Sequence, residues 1–173
     1  MRNTTRLVAI IIGVALTGAV STAPVLATDL TRCFIGAGQM YGVSPSLLRA
    51  IAYVESTYHP QARNLNSDGS EDLGLMQINS WWLPKLAPYG INREMLLSDA
   101  CTNVHIGAWI LSQEIQQLGP SWRAVGAYNA KSSDKARRYA RRVFEVFRAQ
   151  GGVVRSAPRI EAPSPVQPKL NSR

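Results

Sequence analysis

Apolar residues recur at helical spacing in several stretches of the chain, and the stretch between Leu47 and Thr57 also carries an acidic residue. Ser44 before it is a favourable N-cap, and Pro45 suits the first helical position because the N–H it lacks would have no intrahelical partner there. Four side chains fall at i, i+3, i+4 and i+7 and therefore share one helix face: Leu48, Ile51, Ala52 and Glu55. The pattern predicts a helix with a carboxyl group on its apolar face.

Further stretches with helical spacing predict more helices. The clearest keeps apolar residues in register until Gly119-Pro120 stops it: Val104, Ala108, Leu111, Ile115 and Leu118. The expected bounds of these helices are Cys33 to Tyr41, Ser98 or Asp99 to Leu118, Ser121 to Asn129, and Ser133 or Asp134 to Gly151.

The last predicted helix combines an apolar side with many basic residues. Tyr139, Val143 and Val146 lie on one side of it. The arginines are spread around it: Arg137, Arg138, Arg141, Arg142 and Arg148. They form either an anion-binding patch or a solvated basic face, and their spread favours the solvated face.

The middle of the chain is irregular. Residues 60–72 are rich in Asn, Asp, Ser and Gly, which predicts a loop with a turn at Asp68-Gly69. The short apolar run from Gly74 to Asn79 predicts an extended segment. Trp81, Trp82 and the prolines after them interrupt any long regular element. One mostly helical domain is expected from this length and pattern.

The two ends of the chain differ from the middle. The first 27 residues resemble a secretory signal peptide, with Arg2 and Arg6, then an apolar stretch, then a small-residue cleavage site after Ala27. The apolar stretch is about 14 residues, shorter than the roughly 20 that a membrane-spanning helix needs. Four prolines follow Gly151-Gly152 and predict a disordered tail. We expect a signal peptide at 1–27, one domain at 28–150, a tail at 151–173, and a mature protein in the periplasm.

Charge and cysteine content narrow the class of protein. The formal net charge is +8, and a basic exported protein suits an anionic extracytoplasmic polymer or membrane surface better than nucleic acid. Cys33 and Cys101 are the only cysteines. In an oxidising compartment they are expected to form one disulfide, the alternative being two buried thiols.

Few residues carry recognisable chemistry. His59 and His105 are the only histidines and have no partners at metal-ligand spacing, so no metal or cofactor is expected. Glu55 stands out because burial of a carboxyl group raises its pKa, and a protonated carboxyl is what a general acid needs near neutral pH. The alternative is a Glu at the rim of the helix, paired with Arg49 or Arg63.

Three motifs give this carboxyl group a context. Glu55-Ser56, the run Gly-Leu-Met-Gln-Ile-Asn from Gly74 to Asn79, and Ala-Tyr-Asn-Ala from Ala127 to Ala130 follow one another in this order. The chain from about Cys33 to Arg142 thereby resembles the soluble lytic transglycosylase family, most closely its small periplasmic members associated with type III secretion, conjugation and pilus machines.

The resemblance implies an α+β fold, mainly α, of lysozyme-like type, with a small extended segment beside a substrate cleft. It also implies cleavage of peptidoglycan glycan strands by one carboxyl group, Glu55, without a cofactor, and formation of 1,6-anhydro ends. A monomer is expected, whose partners are glycan strands and components of an envelope-spanning machine.

The resemblance also assigns site residues. Ser56, the polar neighbour of the acid, would help to bind substrate, and Gln77 would bind sugar amide or hydroxyl groups. Tyr128 and Asn129 match the family's substrate-binding tyrosine-asparagine pair, with the Tyr128 hydroxyl expected near the catalytic carboxyl or the reacting sugar. Met76 would either face the sugar or pack in the core. Among the tryptophans, Trp109 is expected in the core, and the Trp81-Trp82 pair is expected to divide between core and cleft.

Two other functions stay open at this level. A hydrolase of related fold would need a second carboxylate to activate water, and three acids in the loop before Gly74 are candidates: Asp68, Glu71 and Asp72. A wall-binding scaffold protein would keep the fold without catalysis, although the presence of Glu55 in its motif argues against this.

Overall fold

The structure is a computed structural model that describes residues 25–153, with side chains from residue 30 onward. Short 3₁₀ turns at Ser80–Trp82 and Ala87–Tyr89 flank the third helix. The elements, in chain order, are α1 Val25–Tyr41, α2 Pro45–Ser56, β1 Arg63–Leu65, β2 Glu71–Leu73, β3 Ile78–Asn79, α3 Leu83–Leu86, α4 Arg93–Ser98, α5 Ala100–Leu118, α6 Trp122–Asn129 and α7 Ser133–Ala149. This is an α+β fold that is mainly α, as the sequence predicts.

Helix α5 lies at the centre of the domain and packs against α1, α6, α4 and α2. Helices α6 and α7 pack on each other, and α7 also packs on α2. The face predicted for α2 is confirmed, since Leu48, Ile51 and Ala52 are fully buried. The interior of α5 is buried as well: Val104, Ile106, Ala108, Ile110 and Leu111.

Polar side chains fix the starts of three helices. Ser44, Asp99 and Ser121 accept hydrogen bonds from the backbone N–H groups of the first turns of α2, α5 and α6. Each satisfies a donor that has no partner within the helix. The predicted starts of these helices are confirmed. Helix α7 begins at Ser133, one of the two predicted positions. Helix α1 is longer than predicted, because it begins at Val25 rather than at Cys33.

The segment predicted as a loop contains a β-hairpin. Strands β1, β2 and β3 form an antiparallel sheet in that order, with Asn64 opposite Asp72 and Asp72 opposite Asn79. The turn at Asp68-Gly69 is present, and the Asp68 carboxylate accepts from the Ser70 backbone N–H at 2.9 Å. The polar composition of this segment does not predict strands. They form because each pairs with a neighbouring strand, and the sequence of a single strand does not show that pairing.

The run from Gly74 to Asn79 is extended only at its end. Gly74 and Gln77 both have positive φ, at 74° and 49°, and a left-handed backbone cannot continue a strand. A tight turn therefore occupies the first part of the run, and strand β3 begins at Ile78. The prediction of an extended segment is correct for β3 alone.

A disulfide joins Cys33 of α1 to Cys101 at the start of α5. The predicted pairing is therefore present, and the alternative of two thiols is not. Within residues 25–153 no helix is both long and apolar enough to cross a membrane. Most of the predicted signal peptide and of the predicted tail lies outside the described residues.

Candidate active site

A cleft of about 630 Å³ opens between the small sheet and the helices. Helix α2 contributes Glu55 to its wall, and the sheet contributes Asp72 and Asn79. The opposite wall comes from the end of α6 and the loop into α7, which bring Tyr128 and Asn129. Residues far apart in the chain thus meet around one acidic side chain.

Glu55 is held at the bottom of this cleft by a tyrosine of the last helix. The hydroxyl of Tyr139 donates a hydrogen bond to Glu55 Oε1 at 2.6 Å. Tyr139 itself is buried, with 2% of its surface exposed. The Glu55 carboxyl forms no ion pair with Arg49 or Arg63, which was the alternative to a catalytic role, and Arg63 instead pairs with Glu71.

The surroundings of Glu55 raise its pKa to about 7. Loss of hydration on burial is the largest cause, because it disfavours the charged form. The hydrogen bond from Tyr139 lowers the pKa, the nearby charge of Asp72 raises it, and the charge of Arg142 lowers it. Burial also raises the pKa of the Tyr139 hydroxyl well above its usual value, so Tyr139 stays a proton donor. The carboxyl is therefore partly protonated at neutral pH, as its apolar helix face predicts.

A second acidic group, Asp72 of β2, lines the same cleft. Two side-chain amides on the sheet donate to it, Asn66 at 3.1 Å and Asn79 at 2.8 Å. These hydrogen bonds hold the Asp72 carboxyl in place in polar surroundings, whereas the surroundings of Glu55 are apolar.

The other acids of this segment are placed differently. Glu71 points away from the cleft and pairs with Arg63 and, at 2.7 Å, with Arg93 of α4. The hydrogen bond from Arg93 is the largest cause that lowers the Glu71 pKa to about 2. Glu71 thus links the sheet to α4. It does not line the cleft, so it cannot serve there as the second carboxylate of a hydrolase. Asp68 lines the cleft and is exposed to solvent.

Gln77 lines the cleft from the tight turn before β3. Its side-chain Nε2 donates to the Gly74 carbonyl at 2.8 Å and to the Ala62 carbonyl at 3.2 Å. The amide nitrogen thus holds the turn together. Only the amide oxygen is left to bind a ligand as an acceptor.

Two predicted substrate contacts do not line the cleft. Met76 is fully buried, so its side chain packs in the core and does not reach a sugar. The Ser56 hydroxyl donates to the Leu75 carbonyl at 2.7 Å, which ties the end of α2 to the tight turn. Met76 therefore takes the second of its two expected places, in the core, and Ser56 contributes to the site by holding the tight turn.

Tyr128 and Asn129 both lie in the cleft wall. The Tyr128 hydroxyl donates to the Met76 carbonyl at 2.8 Å, and its ring stacks on that of Tyr139 with centroids 6.4 Å apart. Tyr128 therefore braces Tyr139, while Tyr139 is the residue that bonds to Glu55. Asn129 is exposed at the end of α6.

Aromatic side chains form one end of the cleft. Trp81 and Trp82 stack with centroids 4.1 Å apart, and both line the cleft. Trp81 is 52% exposed, whereas Trp82 packs on the core and contacts Trp109 edge-on at 5.3 Å. The expected division of the pair between core and cleft is found, and Trp109 is partly buried behind it.

Two residues that position the site were not singled out from the sequence. Tyr139 was assigned only to the apolar side of α7, although a buried tyrosine hydroxyl needs a polar partner. Asn103, buried on α5, accepts from the Met76 N–H at 2.7 Å and donates to the Leu73 carbonyl at 2.9 Å. The sequence signal that could have identified Asn103 is its position as a polar residue within the apolar pattern of α5.

The chain belongs to the family described as the transglycosylase SLT domain, whose model matches residues 32–145. The fold is therefore of lysozyme-like type, and the protein is a lytic transglycosylase that acts on peptidoglycan. Within residues 25–153 no group of three or more His, Cys, Asp or Glu side chains is arranged to hold a metal ion.

Several curated proteins are similar over most of the chain. The invasion protein IagB of Salmonella typhimurium (strain SL1344) is 46% identical over 130 residues, which cover 73% of this chain and 81% of IagB. The X polypeptide of Escherichia coli (strain K12) is 40% identical over 146 residues, 82% of this chain and 86% of that protein. The protein IpgF of Shigella flexneri is 42% identical over 106 residues, 61% and 70% of the two chains.

Proposed function

We propose that this transglycosylase cleaves the β-1,4 bond between N-acetylmuramic acid and N-acetylglucosamine and leaves 1,6-anhydro ends, with Glu55 as both acid and base. The observation that carries the proposal is the Glu55 carboxyl, partly protonated near neutral pH and hydrogen-bonded by Tyr139 at the bottom of the cleft. A group with this pKa suits both donating and accepting a proton at pH 7.

The reaction divides into two proton transfers at one carboxyl group. Tyr139 occupies Oε1 of Glu55, so the acidic proton resides on Oε2. In the first step Oε2 donates this proton to the glycosidic oxygen, and the bond from C1 to that oxygen breaks. In the second step the carboxylate takes the proton of the muramic acid 6-hydroxyl, whose oxygen bonds to C1. Glu55 regains its proton, and no water is consumed.

The other cleft residues suit binding of sugars. The free amide oxygen of Gln77 is an acceptor for a sugar hydroxyl or amide N–H, and Asn129, which also lines the cleft and is exposed, suits a similar contact. The exposed face of Trp81 suits the C–H surface of a hexose ring. Tyr128 acts through its ring contact with Tyr139.

We assign the mature enzyme to the periplasm, where it opens local gaps in the wall for a secretion, conjugation or pilus machine. Three observations support this assignment: the signal-peptide pattern at 1–27, the disulfide between Cys33 and Cys101, and similarity to a protein named for invasion. Disulfides persist in oxidising compartments such as the periplasm.

Mass spectrometry of the fragments released from purified sacculi tests the proposed chemistry. The mature protein is expected to release fragments one water lighter than hydrolysis products, each with a 1,6-anhydro end. Glu55→Gln, which cannot donate or accept the proton, is expected to release none, a loss of at least about a thousandfold. Glu94→Gln is the matched control, because Glu94 is exposed on α4 and outside the cleft.

A hydrolase is the second candidate function, and Asp72 is the observation in its favour. Its carboxyl lines the same cleft as Glu55 and is held by Asn66 and Asn79, as a second glycosidase carboxylate would be. Fragments with reducing ends, lost in Asp72→Asn, would establish this reaction and overturn the anhydro product. No release by the unmodified protein would favour a scaffold role instead.

A further inference from the structure

Acidic and basic groups are divided unequally between the catalytic cleft and a neighbouring groove. The cleft lining includes four acids, Glu55, Asp68, Asp72 and Glu114, and two lysines, Lys131 and Lys135. The sugars of a peptide-bearing glycan strand carry no charge, because the lactyl carboxyl of each muramic acid is bound to the peptide, and such a cleft accommodates them. The excess of acids over lysines disfavours carboxylates of a ligand in the cleft.

The neighbouring groove, of about 870 Å³, lies along α6 and α7 beside the end of α5. Its apolar floor includes Trp122 and Phe144, whose rings meet edge-on at 5.0 Å. Its edges carry arginines that are exposed to solvent, Arg123, Arg137 and Arg141. Guanidinium groups match the planar carboxylate geometry with two parallel donors.

The groove and the cleft adjoin each other. Four residues line both: Glu114, Ala127, Ala130 and Lys131. Lys131 stands at this junction, where its ammonium group pairs with the buried carboxylate of Glu114 at 3.0 Å. A branched ligand can therefore lie in the cleft with one arm and pass Lys131 into the groove with the other.

We propose that this groove binds the carboxylate-bearing stem peptide of the peptidoglycan strand while the sugars lie in the cleft. The proposal rests on the proposed function, since it concerns the same substrate. The stem branches from the muramic acid residue, which is the residue whose C1 reacts, so the stem must leave the cleft close to Glu55. The basic groove next to the cleft offers cations for its carboxylates and apolar surface for its methyl groups.

This assignment also gives a role to part of the basic face of α7. Arg137 and Arg141 face the groove, whereas Arg138 and Arg148 do not line it. Arg137 pairs with Asp134. Arg123 and Arg141 also line the groove, and within residues 25–153 neither forms an ion pair, so their charges are available to a ligand. The basic residues of this helix therefore divide into a ligand-binding group and a solvated group.

Binding measurements with the non-cleaving variant Glu55→Gln test the proposal independently of catalysis. Affinity is measured for purified glycan strands that carry stem peptides and for bare strands. The bare strands are N-acetylglucosamine oligomers of matched length, which carry neither a peptide nor the lactyl carboxylate that an amidase would leave. Adding Arg123→Gln and Arg141→Gln is expected to weaken binding of peptide-bearing strands roughly tenfold and to leave binding of bare strands unchanged. Arg32→Gln with Arg49→Gln is the matched control, because both arginines are exposed and line neither cavity.

The outcomes separate this proposal from the proposed function. No loss on peptide-bearing strands, or an equal loss on both kinds of strand, overturns the stem-peptide site and leaves the groove to a protein partner or a second copy of the chain. Release of anhydro fragments by the unmodified protein in that case still supports the proposed function. Selective loss on peptide-bearing strands supports the stem-peptide site whatever product the enzyme forms. Thermal unfolding of each variant checks that the fold is retained.

Discussion

At the scale of single residues, the Glu55 carboxyl lies between groups with opposing effects on its pKa. Burial and the charge of Asp72 favour the protonated form, whereas Tyr139 and Arg142 favour the charged form. Burial dominates, so the pKa is about 7 rather than 4.5. The proposed mechanism, with two sequential proton transfers at this carboxyl, needs both forms to be accessible, and this balance supplies them.

Removing the Tyr139 hydroxyl tests this balance. Tyr139→Phe deletes the donor to Glu55 Oε1 and thereby removes a contact that favours the charged form, so the Glu55 pKa rises further. In the proposed mechanism, activity requires protonated Glu55 in the free enzyme and is lost as the pH rises through this pKa. We expect the alkaline limb of the kcat/KM profile to move to higher pH in the variant.

The matched control for this profile is Tyr53→Phe. Tyr53 is an exposed tyrosine on the same helix as Glu55 and lies outside the cleft, so its limb is expected to match that of the unmodified protein. An alkaline limb that stays in place or moves to lower pH in Tyr139→Phe would contradict the role assigned to the Tyr139 hydrogen bond.

At the scale of elements, the sequence predicts what local residues determine. The starts of α2, α5 and α6 follow from Ser44, Asp99 and Ser121, each of which bonds within its own first turn. The hairpin was not predicted, because its polar strands are defined by pairing across the Asp68 turn. The contact between Glu55 and Tyr139 was not predicted either, since 84 residues separate the two.

The tight turn before β3 depends on a second element, helix α5. Asn103 accepts from the Met76 N–H and donates to the carbonyls of Leu73 and Leu96, each at 2.9 Å. Gly74 must lack a side chain, because a Cβ there would lie 2.3 Å from the Asn103 amide. One buried asparagine thus fixes the segment that carries Gln77 into the cleft.

Asn103→Ala tests this dependence. It leaves one buried N–H and two buried carbonyls without their partner, and we expect the free energy of unfolding to fall by about 3 kcal/mol. Urea unfolding measures this change, and kcat/KM is expected to fall as well because Gln77 loses its fixed position. Gln116→Ala, an exposed change on the same helix, is expected to alter neither quantity. A loss of stability no greater than in this control would show that the turn is held by other contacts.

At the scale of the whole molecule, the proposed catalytic site is assembled from helices near the two ends of the domain. Helix α2 supplies Glu55, and the last helix supplies Tyr139, so the packing of α7 on α2 brings the two side chains together. Helix α5 lies behind both the sheet and α6. The motifs in the sequence indicated which segments meet, but only their packing determines which side chain touches which.

The disulfide acts at this largest scale. Cys33 and Cys101 are 68 residues apart and join α1 to the start of α5, and neither lines the cleft. Closing so long a loop restricts the unfolded chain and adds about 4 kcal/mol of stability by the chain-entropy model. We expect Cys33→Ala with Cys101→Ala to lower the free energy of unfolding by about this amount, measured by urea unfolding.

The catalytic parameters of the folded variant are expected to match those of the unmodified protein at low temperature, because the bond constrains the unfolded chain and leaves the cleft residues in place. Reduction provides an internal control. A reducing agent should lower the stability of the unmodified protein to that of the double variant and should leave the double variant unchanged. A fall in kcat/KM without a fall in stability would instead mean that the bond acts on the geometry of the cleft, through the packing of α1 on α2 and α5.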